Sequence, residues 1–382
     1  MNVYLDYAAT TPVDKRVLSA MHPFFNDVYG NPSSTHRFGR KSSDAVEHAR
    51  VKAAELLNAK PSEIVFTGSG TESDNTALIS TAFMRGKNSG HIITSAIEHH
   101  AVLHTCEYLK KTGCRVSYVP VDGNGLVGPD DIEKAICKDT FLISIMHANN
   151  EIGTVQPIDE ICAVARKNGI LFHTDAVQTA GHLPIDVQKT GIDFLSLSAH
   201  KFYGPKGTGA LYVRQGSPFE PFIHGGAQEN SRRASTLNVA GIVGLGKAAE
   251  IAAQEMDEEN IRILGYRERI IDALFAEIDG IRLNGHRRQR LANNINISIE
   301  GVEGESMLLS LDTQGIAVSS GSACSAGSGE PSHVLKALGL SPEQMSGSLR
   351  ISLGRFSTTD EIEHTIEMLK QTITKLRSFS SF

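Results

Sequence analysis

Short β-rich runs alternate with longer stretches of helical period from residue 64 to residue 213. Few architectures accommodate that alternation, and a mostly parallel sheet covered by helices is the one it matches. The spacing predicts strands over 64–67, 91–94, 115–119, 141–147, 170–175, 194–198 and 210–213, with helices between them that include 100–111 and 158–167. Asn168-Gly169 is a fitting stop for the second helix. After Gly241 an Ala- and Glu-rich stretch to about residue 279 reads as one or two helices leading out of this unit. A second unit then holds a strand over 294–299, a helix over 305–311, a Gly/Ser-rich stretch over 319–329, a strand over 349–353 and an amphipathic helix from Asp360.

With 382 residues the chain exceeds what one core usually holds, which favours a large domain with a smaller one. Its 40% hydrophobic and 21% charged residues are ordinary for a soluble globular protein. A net charge of -6 gives no field for holding a polyanion. The basic run containing Arg287, Arg288 and Arg290 has no interleaved aromatic residues and reads as a solvated loop, so nucleic acid is not an expected partner. No stretch approaches a membrane span and the N-terminal residues lack the pattern of a signal peptide, so the expected location is cytoplasmic, without a membrane partner. The five cysteines, at 106, 114, 137, 162 and 324, contain no C-x-x-C pair, which leaves zinc-ribbon and thioredoxin-like readings without support.

Ligands of open α/β sheets gather outside the strand ends, so polar residues directly after the predicted strands carry the most information. Phe66-Thr67-Gly68-Ser69-Gly70-Thr71-Glu72 joins a strand to a helix start, where backbone N–H groups can hold a phosphate. A tight glycine turn explains it equally well, and it matches neither the full P-loop nor G-x-G-x-x-G. Asp175 closes a strand in HTDAVQ, and SLSAHK sets Ser198, His200 and Lys201 beyond another. A lysine there can form a Schiff base, and a carboxylate can pair with a pyridinium nitrogen and make the ring an electron sink. Singly, Lys201 reads as a loop amine and Asp175 as a helix cap; together at one sheet edge they point to a cofactor. Glu98, His99, His100 and His104 invite a metal reading, but HAVLH lacks the glutamate of H-E-x-x-H, and no metal site is expected from it.

These residues fall within a longer series. YLDYAATTP, GNPSSTH, TESDN, EHHAV, HANNEIGTVQP, DAVQ, SAHKFYGPKG, GGAQE, SSGSACS, EPSHVL and RISLGRF follow one another along nearly the whole chain. In this the sequence resembles the pyridoxal-phosphate-dependent cysteine desulfurases, in the group with a short catalytic loop that is similar to the iron–sulfur-cluster sulfur donors. The resemblance implies an α/β fold of type I (aspartate-aminotransferase-like), with a large cofactor domain over 15–258 and a small α+β domain from 1–14 and 259–382. It implies pyridoxal 5'-phosphate as cofactor, L-cysteine as substrate, a homodimer, and a scaffold or other acceptor protein for the sulfur.

By the same resemblance Lys201 would hold the cofactor as a Schiff base, Asp175 would bind its ring nitrogen, and His99 would stack on the ring and take part in proton transfer. Asn150 and Gln178 would bond its phenolic oxygen. Gly70, Thr71, Ser198 and His200 would bind its phosphate, with Thr236 reaching the phosphate in the other subunit. Arg350 would clamp the substrate carboxylate, assisted by Asn31; a planar guanidinium fork suits that task. Two segments depart from the family wording: Gly68-Ser69-Gly70-Thr71 stands where Ser-Gly-Ala-Thr is usual, and Ser235 stands where glycine is usual. Both exchanges are between small residues, so phosphate binding is expected to survive.

Cys324 lies among small polar residues from Ser319 to Gly329, whereas a structural cysteine such as Cys162 in EICAVA sits among apolar ones. The composition predicts an exposed, mobile stretch, and the resemblance makes Cys324 the nucleophile that takes sulfur as a persulfide; a transient bond to an iron–sulfur cluster is left open. Selenocysteine lysis and amino transfer are alternatives on the same scaffold, although a transaminase has no use for Cys324. A docking platform would not need Lys201, Asp175 and Cys324 intact, and a cysteine hydrolase needs a histidine base beside Cys324.

Overall fold

The computed structural model describes residues 1–84, 90–320 and 331–379. Seven strands form the central sheet: β1 (Ile64–Thr67), β2 (His91–Ser95), β3 (Arg115–Val119), β4 (Thr140–Ser144), β5 (Leu171–Asp175), β6 (Phe194–Ser198) and β7 (Gly209–Val213). They lie in the order β1-β7-β6-β5-β4-β2-β3. β7 runs antiparallel to both of its neighbours and the remaining pairs are parallel. β1, β2, β4, β6 and β7 are buried along their whole length, which is why they read as near-continuous apolar runs rather than alternating ones. The expected strand over 141–147 is Thr140–Ser144; beyond it the Ile145 and His147 N–H groups still bond to β5, at His173 and Asp175, while that of Met146 turns to the Glu98 carboxyl group.

Helices cover both faces: α1 (Arg37–Leu57), α2 (Gly70–Met84), α3 (His100–Lys111), α4 (Ile158–Lys167) and α5 (Val239–Glu277). α3 and α4 have the predicted bounds, and α4 stops at Asn168 with Gly169 at φ 64. The Ala- and Glu-rich stretch is one helix of 39 residues. Its first half packs on α1, and its second half buries Ile263, Ile270, Ile271 and Leu274 in another core with Val3 and Leu5. That second core lies against an antiparallel sheet of β8 (Ile281–Leu283), β9 (Asn294–Ile299) and β10 (Ser348–Ser352). The N-terminal strand Val3–Tyr4 pairs in parallel with Ile316–Ala317.

The basic run is not uniformly solvated. Arg287 and Arg288 are exposed, but Arg290 is buried, donating to the carbonyl oxygens of His286 and Asn284, and burial lowers its pKa to about 9. Polar backbone around it satisfies a cation that hydrophobic patterning could not place. Among the described residues no helix is long and apolar enough to cross a membrane.

Candidate active site

Parallel strands all end at the same sheet edge, so the segments that leave β1, β2, β4, β5 and β6 converge. A cavity of about 280 Å³ lies there, and its walls include Gly70, Thr71, His99, Asn150, Asp175, Gln178, Ser198, His200, Lys201 and Arg350. The structure thus gathers ten of the candidate residues from six separate stretches of sequence. Asn31 and Thr236 are exposed and do not line the cavity. Cys324 lies outside the described residues, but both flanks of its segment are fixed beside the cavity. Ser319 exchanges backbone hydrogen bonds with Arg350, and the Ser332 hydroxyl donates to Glu151, next to Asn150, at 2.5 Å.

Each wall has a local cause. β1 ends at Thr67 and α2 begins at Gly70, so the first-turn amides of a 15-residue helix face the cavity, the end that attracts anions. A Cβ at Gly70 would stand 2.5 Å from Val177 Cγ2, so a larger residue there would need the Val177 side chain to shift. Arg233 ties this corner to the Thr236 segment through an ion pair with Glu72 at 2.9 Å. In that segment Ser235 has φ +92, a backbone conformation suited to glycine.

The electrostatics follow from burial. Asp175 is 6% exposed; desolvation raises its pKa to about 6 against the pull of the Val177 N–H, which it accepts at 2.8 Å, and of Lys201. Lys201 Nζ donates to the carbonyl oxygens of Ala8 at 2.6 Å and Ala9 at 2.8 Å, and Gln178 donates to Ala8 at 3.0 Å. The YLDYAATTP segment therefore holds the amine through its backbone. His99 caps α3: its Nδ1 accepts the Ala101 N–H at 3.1 Å, so in the neutral ring the proton sits on Nε2. Burial and then Lys201 lower its pKa to about 4, which keeps the ring neutral. Burial likewise lowers His200 to about 4.

Arg350 is 1% exposed on β10 and donates to Asp6 at 2.8 Å and to the Asn150 carbonyl at 3.2 Å, while its Nε has no partner among the described residues. Sequence reading did not single out Asp6, and nothing in the order of residues pairs it with a position 344 residues away. It also missed Asp74, a cavity wall, and assigned Glu98 no role. That carboxyl group turns from the histidines to Ser95 and Met146, and burial raises its pKa to about 8. His100 instead stacks between His104 and His333, with centroid distances of 4.8 and 4.9 Å.

The aminotransferase class-V family matches residues 3–365. The chain is 54% identical over 380 residues to "Cysteine desulfurase IscS" of Dictyoglomus turgidum, covering 100% of this chain and 96% of that protein. Among solved structures it is similar to a NifS-like protein at 40% identity and a TM-score of 0.92, covering 98% of this chain and 100% of the other. It is also similar to SspA in complex with cysteine, at 41% identity and a TM-score of 0.82, covering 93% of this chain and 100% of the other. With its lysine and aspartate on one cavity and full-length likeness on both counts, the chain belongs to the aminotransferase class-V family and, within it, to the pyridoxal-phosphate-dependent cysteine desulfurases.

Proposed function

We propose that the cavity converts L-cysteine to L-alanine while Cys324 takes the sulfur as a persulfide. The observation that carries this reading is the convergence of Lys201, Asp175, His99 and Arg350, distant in sequence, on one cavity. The residues fit pyridoxal phosphate: the α2 amides at Gly70 and Thr71 with Ser198 and His200 would hold the phosphate, Asp175 the ring nitrogen, Asn150 and Gln178 the phenolic oxygen, and Lys201 the aldehyde carbon. The close-packed Gly70 and the buried acid on the same cavity as Lys201 support that fit. Bound there, the cofactor supplies an electron sink for the pair left at the substrate Cα.

The chain's own residues then divide the work. Arg350, whose Nε has no partner among the described residues, takes the substrate carboxylate, and its contact with Asp6 fixes the plane of the fork. Lys201 Nζ moves the Cα proton, steered by the Ala8 and Ala9 carbonyls. Neutral His99 donates from Nε2, because its Nδ1 lone pair is engaged by the helix cap. The Cys324 thiolate attacks the substrate sulfur; the carbon–sulfur bond breaks, its electron pair returns to Cβ and is protonated, and alanine leaves with no external reductant. The anchored flanks Ser319 and Ser332 support delivery of this thiol to the cavity. The same reading makes the protein a cytoplasmic homodimer, in which Thr236 serves the other subunit's phosphate and Asn31 the substrate, and passes sulfur to an acceptor protein such as a cluster scaffold.

The test is mass spectrometry of the purified yellow protein after exposure to cysteine. Added sulfur is expected on the Cys324 peptide, with alanine formed in step. Cys324→Ala should keep the colour and lose sulfide release; undiminished release from that variant would sink the assignment.

A further inference from the structure

Two carboxyl groups, not one, line the cavity that holds Lys201. Asp74, on the second turn of α2, lines the cavity together with Asp175 and is 1% exposed. The two are differently served. Asp175 accepts the Val177 N–H at 2.8 Å and feels the Lys201 amine. Among the described residues Asp74 Oδ1 has no hydrogen-bond partner, and its one basic neighbour within 4 Å is His173 Nε2 at 3.6 Å, beyond hydrogen-bond reach.

His173 does not supply a charge. Its ring is fully buried on β5 between the Ser144 hydroxyl at 2.8 Å and the Ser196 hydroxyl at 3.1 Å, two groups that suit a neutral imidazole in either tautomer. Burial lowers its pKa to about 3. The other titratable groups nearby are Glu98, which burial keeps protonated at neutral pH, and the neutral His99. A buried carboxylate with no cation and one oxygen unbonded costs several kcal/mol, and two like charges on one cavity cannot both persist.

We infer that Asp74 and Asp175 share a single negative charge, with the proton on Asp74 and the charge on Asp175. Asp74 is then a positioning residue: by staying neutral it leaves Asp175 as the one anion on its side of the cavity. Burial, and then the Asp175 charge, push Asp74 well above the ordinary carboxyl range, against the opposing pull of the Ser196 hydroxyl. The consequence for the ring nitrogen rests on the role proposed for Asp175; the protonation of Asp74 does not.

The experiment is infrared difference spectroscopy of the holoenzyme at neutral pH, wild type against Asp74→Asn, with the cofactor absorbance recorded on the same samples. The isosteric amide should abolish one protonated-carboxyl C=O band and leave the cofactor absorbance maximum in place, whereas Asp175→Asn should keep that band and shift the maximum. Loss of a carboxylate band instead, or a shift of the cofactor maximum in Asp74→Asn as large as that in Asp175→Asn, would overturn the inference. Asp74→Ser gives the same comparison if the amide does not fold. Desulfuration measured in parallel separates the outcomes: a wild type that fails to desulfurate removes the functional reading and leaves the infrared result standing.

Discussion

Arg350 combines a fully buried guanidinium, a carboxylate 2.8 Å away and an Nε without a partner among the described residues. Such an arginine is held by both terminal nitrogens and keeps one N–H unsatisfied, a state that an arriving anion can relieve. Arg350→Lys retains the charge and loses the fork, since the three N–H groups of an ammonium radiate from one nitrogen and cannot reproduce the planar, spread donors that reach Asp6, the Asn150 carbonyl and a substrate. Loss of one charge-assisted hydrogen bond, about 1.5–3 kcal/mol, is expected to raise KM for cysteine about 10- to 100-fold, with a smaller effect on kcat. Steady-state kinetics of the purified variant checks this, and a change confined to kcat would count against the carboxylate role. His99 is decided at the same scale: the helix cap occupies its Nδ1, which only the folded turn could reveal.

At the scale of elements the site depends on where segments end and how closely they pack. α5 crosses α1 at a contact where a Cβ on Gly246 would stand 2.5 Å from the Ala49 Cα. Alanine is the better helix former by roughly 1 kcal/mol, yet here the added methyl group must push two long helices apart. Gly246→Ala is therefore expected to destabilise by about 1–3 kcal/mol, the reverse of its propensity; chemical denaturation of the cofactor-free protein reads the sign. The helix itself was legible in its Ala- and Glu-rich composition, and α3 and α4 were legible to the residue from periodicity and stop signals. Strand ends were less so. Residue 146 belongs to an apolar run, and only the buried Glu98 carboxyl explains why its N–H leaves the ladder.

For the whole molecule, the buried titratable groups set a pH range. His99, His147 and His173 have pKa values lowered by burial to about 4, 4 and 3, so below their unfolded value near 6.5 the unfolded chain binds more protons and stability falls with falling pH. Glu98, Glu151 and Asp175 are raised by burial to about 8, 7 and 6, so above an unfolded value near 4.5 or below the native chain holds more protons and stability falls with rising pH. The two sets oppose each other, and the Tm of the cofactor-free protein is expected to peak between roughly pH 5.5 and 7. A Tm that climbed steadily from pH 5 to pH 9 would show that the buried carboxyl groups are not protonated in the fold. Arg290 belongs to the same account: a buried cation satisfied by carbonyl oxygens, where the sequence suggested a solvated loop.

Periodicity and the ordered series of segments determined the parallel α/β architecture, the cofactor class and the cavity-lining candidates, because hydrophobic spacing and short motifs are local properties that survive reading along one dimension. The pairing of Asp6 with Arg350, the grip of the Ala8 and Ala9 carbonyls on Lys201 and the second acid beside Asp175 were decided by the tertiary structure alone. The physical reason is the sheet: parallel strands bring their C-terminal ends to one edge, and burial there fixes which acids can keep a charge. That depends on neighbours separated by tens to hundreds of residues and not on the residues beside them in the chain.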